Sequence, residues 1–454
     1  MHVSFPSLGV RALATCLLAA IDATGQIPLR GYARVDEKVL DTETSIERLP
    51  TPIPFRSFRY PHVNVTYDAT FIADDNNYYV QFQGETKLLG TMSGIYRSLS
   101  RSGEIVPLAV EGGATPISTN SAFLSFSGLQ THEKSYCFMG AAKSTTGPEV
   151  FVGLFASFFG GPLKCILYTG QTIPGVTDRG TNPDYCSIYL DDALYTVNDI
   201  GNRAFIVLYD SLADTHKAVL KSGDKVPTSA GVDAACVSFA RNNWIHDLDV
   251  TAHAHRDDNG SGLYLIDVTD FKKEGARGIT LIADTGMHPP DSPASRFTRF
   301  YSAPVDHQRV AFVADAQVPG ETHHTNQGVY IWANDELVTV ADLRDTIPGH
   351  DMPFAGFNPW VAMDKGKLIF RGFGPNGYEG LFLFDPDLDA LFLLIDNVQQ
   401  LEGKQIASFE IGSNCIVGGR MIFLARFADD SMAVYMALTP ALLTPRLDIP
   451  LSAR

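Results

Sequence analysis

The sequence predicts an all-β protein, a seven-bladed β-propeller whose N-terminal strand completes the last blade. Three observations carry that expectation. A strand-rich unit recurs about every 45–60 residues, the period of propeller blades. Most units contain a Gly–aliphatic–aromatic strand start. Gly (39) and Pro (26) are plentiful in a chain of 454 residues while charged residues are only 19%, which suits short strands and turns better than a helical bundle.

The strand start reads Gly94-Ile95-Tyr96, Gly153-Leu154-Phe155, Gly262-Leu263-Tyr264, Gly328-Val329-Tyr330 and Gly380-Leu381-Phe382. An apolar strand and a Pro-containing turn follow it at 166–175, 281–290 and 340–349, and the same ending stands at 219–227. Ahead of the unit lies an aromatic-rich strand, as in 55–60, 297–301 and 354–357. A lone four-stranded sheet cannot bury both faces, whereas sheets stacked around an axis bury each other. The units fall at 55–110, 121–175, 185–228, 236–290, 297–350 and 354–397, with an incomplete one at 409–438. Residues 33–46 resemble the missing fourth strand, so they are expected to complete the seventh blade and close the ring. The unit at 185–228 lacks the Gly–aliphatic–aromatic start, which leaves six blades plus an irregular unit as the alternative.

Asn198–Phe205 reads N-x-x-G-x-x-A-F, with degraded copies such as Gly366–Phe370 and Gly419–Phe423. In these copies the chain resembles exported proteins known as choice-of-anchor tandem-repeat proteins. The resemblance spans about residues 50–425, although the C-terminal anchor helix of that pattern is missing. It implies a repeat fold and supplies no catalytic set. Gly201 reads as a tight-turn residue and Phe205 as a blade-interface residue.

Residues 1–25 have the layout of a secretory signal peptide: one charge, the apolar run Ala12–Ile21, and a small-x-small site at Ala23–Gly25. The propeller is expected over 26–445 and a tail over 446–454. Localisation is therefore expected to be secreted and extracellular, and the mature chain a monomer without a membrane span, since no later run reaches the ~18 apolar residues a span needs. The net charge of -16 repels nucleic acid and anionic membranes alike. Cys137, Cys165, Cys186, Cys236 and Cys415 form no CxxC pair, which excludes zinc ribbons and thioredoxin chemistry. Buried thiols and up to two disulfides both remain open.

Familiar motifs fail on context. Gly372–Gly377 fits G-x-G-x-x-G, but residues 379–385 read as a strand where a dinucleotide site needs a helix. Asp385, Asp387 and Asp389 have calcium-loop spacing, yet Ala390 replaces the required Gly and no Glu closes the loop.

Chemistry is expected on the loops of blades four and five. His253 and His255 alternate on one strand, so both imidazoles point to one side, with Arg256 next. His323 and His324 lie in the equivalent loop of the following unit, and His288 and His350 flank it. His253, His255 and His324 could bind a divalent metal with one position open. Alternatively His253, His255, Arg256 and His323 could serve as a catalytic set, an imidazole taking a proton while Arg neutralises a uronate carboxylate. Arg56, Arg59, Arg299 and Tyr301 lie on or beside first strands, where arginines could draw an acidic glycan into the channel mouth. The leading expectation is a binding scaffold for an extracellular glycan or protein. The alternative is a His-dependent, metal-assisted or metal-free polysaccharide lyase or hydrolase.

Overall fold

The computed structural model describes residues 105–132, 134–240, 243–269, 278–320, 326–412 and 414–438, together with strands at 34–41, 55–65, 78–86 and 93–99. The leader read at 1–25 and the tail at 446–454 lie outside the described residues. The described chain is all-β, without an α-helix, and its strands pair into seven antiparallel sheets arranged as a propeller. Among the described residues no helix is long and apolar enough to cross a membrane.

Each sheet is one repeat unit, with strands in chain order. The first blade holds Phe55–Val65, Tyr78–Thr86, Ser93–Leu99 and Ile105–Val110. The second runs from Ser118–His132 to Lys164–Tyr168 and the third from Thr181–Tyr189 to Thr215–Lys221. In the fourth, Ala234–Phe239 and Trp244–His246 together form the first strand, before Asp249–Arg256, Ser261–Asp267 and Gly278–Asp284. The fifth repeats that break, with Arg296–Phe300 and Val305–Asp306 ahead of Arg309–Gln317, Asn326–Ala333 and Glu336–Asp342. The sixth holds Gly356–Asp364, Lys367–Phe373, Glu379–Asp385 and Ala390–Asp396. The seventh takes Lys404–Glu410, Arg420–Phe427 and Met432–Leu438 from the C-terminal end. Its fourth strand is Arg34–Asp41, paired antiparallel with Met432–Leu438. The ring closes as the sequence predicts, and the closure pairs a strand edge that would otherwise be free.

The Gly–aliphatic–aromatic pattern has a steric cause. The aromatic folds back over the glycine two residues earlier, on the same face of the strand. A Cβ on Gly94, Gly262 or Gly328 would lie 2.7, 2.5 or 2.6 Å from the ring or hydroxyl of Tyr96, Tyr264 or Tyr330. These tyrosines are buried, and Tyr264 and Tyr330 pack between blades.

The third blade solves the same problem in reverse. Pairing with the fourth strand puts Ile206 where Leu263 stands in the fourth blade, since the bulge follows each. Phe205 therefore replaces Gly262 and Val207 replaces Tyr264. The aromatic has moved two positions and the sheet is a regular four strands. This also changes the reading of the N-x-x-G-x-x-A-F copy. Gly366 and Gly419 sit in turns between first and second strands, whereas Asn198–Phe205 spans the turn between second and third. The copies are not equivalent, and the left-handed residue of the latter turn is Asn202, φ 61°, rather than Gly201.

Blades interlock through alternating hydrophobic faces. Val250, Ala252, Ala254 and Tyr264 pack with Leu194, Ile206 and Leu208 of the third blade. Leu263 and Leu265 pack with Phe297, Phe300 and Phe312 of the fifth. The first turns interlock as well: Asp249, Asp306 and Asp364 accept the backbone N–H of Gln308, Gly366 and Gly418 in the following blade at 2.9, 2.8 and 2.8 Å. Cys137, Cys165, Cys186, Cys236 and Cys415 are free thiols, all but Cys165 buried.

Candidate functional site

His253 and His255 lie on the second strand of the fourth blade, Asp249–Arg256. Ala252 and Ala254 face the third blade, so the alternate residues Thr251, His253 and His255 face the fifth. Thr251 fixes that seam by donating its hydroxyl to the Ala303 carbonyl at 2.7 Å. Both first strands are interrupted here, one ending at Phe239 before the next piece starts at Trp244 and the other at Phe300 before Val305, and interrupted ladders leave backbone groups that side chains must satisfy. Asn243 does so, accepting the His253 N–H at 3.0 Å and donating to the Ala240 carbonyl at 2.8 Å.

The His253 ring is 5.2 Å from the His255 ring and edge-on to Phe300 at 5.8 Å, centroid to centroid. Only 5% of His253 is exposed, and both ring nitrogens are buried without a hydrogen-bond partner among the described residues. Burial, helped by nearby His255 and Arg299, lowers its pKa to about 3. It is neutral across the physiological range. The fold does not ask for an imidazole: registered on the third strand, the same position holds Met139, Val313 and Leu424 in the second, fifth and seventh blades and Gln83, Thr196 and Arg371 in the first, third and sixth.

Arg299 and Tyr301 belong to the fifth blade and complete the group. The Arg299 guanidinium lies 4.8 Å from the Tyr301 ring centroid, a cation–π contact. Arg299 is exposed and meets no carboxylate at ion-pair distance among the described residues. Tyr301 sits in the strand break, its N–H on the Val313 carbonyl at 3.0 Å. Its hydroxyl donates to Asp315 Oδ2 at 2.8 Å. Burial, then the Asp315 carboxylate that takes its hydrogen bond, raises the phenol pKa. Gln327 holds the other Asp315 oxygen at 3.0 Å and accepts the Phe357 N–H of the sixth blade at 2.6 Å.

The structure thus pairs His253 with His255 and Arg299 with Tyr301; the Arg299 charge reaches His253, while Tyr301 packs toward the sixth blade. Arg256 is placed otherwise: its guanidinium is buried and committed to Asp284 at 3.0 Å, Asp258 at 3.1 Å and the Tyr264 hydroxyl at 3.2 Å. His323 and His324 lie outside the described residues. Arg56 and Arg59 lie on the described strand Phe55–Val65, though nothing is described of their side chains. His288 is turned to the Ser295 carbonyl at 2.6 Å and His350 to Asp396 at 3.2 Å. Among the described residues no Cys, Asp, Glu or further His joins His253 and His255 as a metal-ligand group.

Chemically the group offers a fixed cation over an aromatic ring, beside an exposed imidazole. A base at pKa about 3 is a poor proton acceptor near neutrality, so His253 supplies shape and polarity rather than proton transfer. Asp315 and Gln327 escaped sequence reasoning. Asp315 belongs to an ordinary alternating strand, and its link to Tyr301 depends on a strand break that composition does not reveal. A cavity of about 370 Å³ lies elsewhere, lined by Cys165, Ile166, Tyr209, Asp214 and His216 among others.

Residues 208–377 match a family of unknown function (DUF7453). That span contains His253, His255, Arg299, Tyr301, Asp315 and Gln327. No curated protein matches the chain. Among solved structures it is similar to the β-propeller domain of the Trilobed protease from Pyrococcus furiosus, which has an open velcro topology; identity is 11%, coverage 84% of this chain and 96% of that one, and the TM-score 0.46. It is also similar to a Mycobacterium tuberculosis puromycin-hydrolyzing peptidase, at 10% identity, covering 90% of this chain and 55% of that one, TM-score 0.44. A third is the ulvan lyase of polysaccharide lyase family PL25 bound to -[GlcA(1-4)Rha3S]-, at 11% identity, covering 89% and 96%, TM-score 0.41.

Proposed function

We propose that the protein is an extracellular binding scaffold that takes a carboxylated glycan at Arg299, on the first strand of the fifth blade. One observation carries the reading: Arg299 is exposed, has no ion pair among the described residues, and is braced on a Tyr301 ring that Asp315 holds in place. A guanidinium in that setting receives a carboxylate with two donors, while the aromatic face and the exposed His255 suit a sugar ring. Holding His253 neutral avoids adding a buried positive charge beside the exposed Arg299.

The test is a panel of uronate oligosaccharides, their methyl esters and neutral analogues, assayed for binding to the wild type. Binding of the acids with loss on esterification supports the reading. Equal binding of acid and ester, or binding of none, contradicts it.

The exposed His255 imidazole, 5.2 Å from the His253 ring, supports a second reading, β-elimination at a uronate. There His255 would take the proton alpha to the carboxylate. The C–O bond at the adjacent carbon would break, a carbon–carbon double bond would form, and the departing oxygen would acquire a proton. Appearance of unsaturated-uronate absorbance on incubation with those acids distinguishes catalysis from binding.

A further inference from the structure

A second group of side chains gathers at the other end of the fourth-blade strand, on the turns between first and second strands. Pairing aligns one residue per blade immediately before each turn: His132, Tyr189, His246, Asp306 and Asp364 stand at that position in the second to sixth blades. The turns converge there. The His132 and Tyr189 rings are 4.0 Å apart, Tyr189 and His246 4.6 Å, and His246 and His307 5.1 Å.

Within that group the ligand atoms of His246, Asp306 and His307 all lie within 4.8 Å of one another. His246 Nε2 is 3.5 Å and His307 Nε2 3.7 Å from Asp306 Oδ1. Both exceed a good hydrogen bond. They approach the edge of a tetrahedron, about 3.3–3.4 Å for metal–ligand bonds of about 2.0–2.1 Å.

One further observation points to a ligand. The carboxylate is oriented from behind, Asp306 Oδ2 accepting the Gly366 N–H at 2.8 Å, as outer-shell partners orient metal ligands.

We infer that His246, Asp306 and His307 form a binding site for a first-row divalent metal ion such as Zn²⁺, joining the first turns of the fourth and fifth blades. Two imidazoles and one carboxylate suit that class and leave a position for water. His307 is 68% exposed at its side chain, so the ion enters from solvent and His307 closes over it. The ion offsets the negative charge of Asp306 and of Asp364, whose carboxyl feels Asp306 across the blade boundary. This site is separate from the His253 group and does not depend on the glycan reading.

The test uses untagged protein, stripped with chelator, loaded with Zn²⁺ and passed over a sizing column before metal analysis. The expected result is one equivalent of zinc in the wild type and in His255→Ala, and near none in His307→Gly. Glycine suits the left-handed backbone at His307, φ 47°, and the side chain is largely exposed, so this variant keeps the fold. Asp306→Asn should also lose zinc but risks the turn it supports. The Co²⁺-loaded wild type should show the intense visible bands of tetrahedral cobalt, lost in His307→Gly. Wild type retaining no more metal than His307→Gly, or metal lost in His255→Ala instead, overturns the inference.

Discussion

Arg299 and Tyr301 are joined across a broken strand: the guanidinium rests 4.8 Å from the ring centroid, and the ring is held by its own hydroxyl on Asp315. The contact therefore depends on a hydrogen bond behind it. Tyr301→Phe keeps the ring and removes that bond, leaving one Asp315 oxygen without this donor. Stability should fall by about 1–3 kcal/mol, the cost of leaving a largely buried acceptor unmatched. Affinity for a uronate ligand should fall less than with Arg299→Ala. Urea unfolding and calorimetry on both variants check the ordering.

His253 carries an imidazole where three other blades carry Met139, Val313 and Leu424. His253→Met replaces two orphan nitrogens with hydrocarbon of similar bulk. It should raise the urea midpoint, with a gain on the order of 1 kcal/mol. A lower midpoint would mean that the ring nitrogens have partners in solution.

The same residue makes stability depend on pH. Its folded pKa is about 3, against about 6.5 in an unfolded chain. Between those values the unfolded state binds more protons, so stability is full above about 6.5 and is lost as pH falls toward 3. In His253→Met the slope over that window should be shallower by up to one proton, about 1.4 kcal/mol per pH unit. His132, also lowered to about 3 by burial and then by His246, contributes in the same direction and remains in the variant. Unfolding curves at several pH values give both slopes.

Gly262→Ala should destabilise by about 1–3 kcal/mol, as overpacking does, because its Cβ would meet the Tyr264 hydroxyl at 2.5 Å. The pair Gly262→Phe with Tyr264→Val copies the arrangement of Phe205 and Val207. It should cost less than the sum of its single variants, and a double-mutant cycle measures the difference.

These residues also mark what the sequence makes legible. Gly–aliphatic–aromatic starts are local, because ring and glycine are two positions apart on one strand, so the blades and the closing strand at 34–41 can be read directly. Phe205 and Val207 hid the third blade's start by exchanging sizes. Without a known register, Asn198–Phe205 looked equivalent to Gly366–Phe370 although it lies one turn further on. His253, His255, Arg299 and Tyr301 were visible as polar residues at strand ends near one blade boundary. Asp315, Gln327 and the trio of His246, Asp306 and His307 were not. Asp315 and Gln327 meet Tyr301 through strand pairing within the fifth blade, and His246 reaches Asp306 and His307 across a blade boundary, neither of which is apparent without the register.

The central claim is that Arg299 is the carboxylate receptor. Titration calorimetry of one uronate oligosaccharide against wild type and Arg299→Ala tests it most directly. The account predicts saturable binding to the wild type and a loss of tenfold or more in Arg299→Ala, the effect of removing a charged hydrogen-bond donor worth about 1.5–3 kcal/mol. Equal affinity in the two proteins would contradict it.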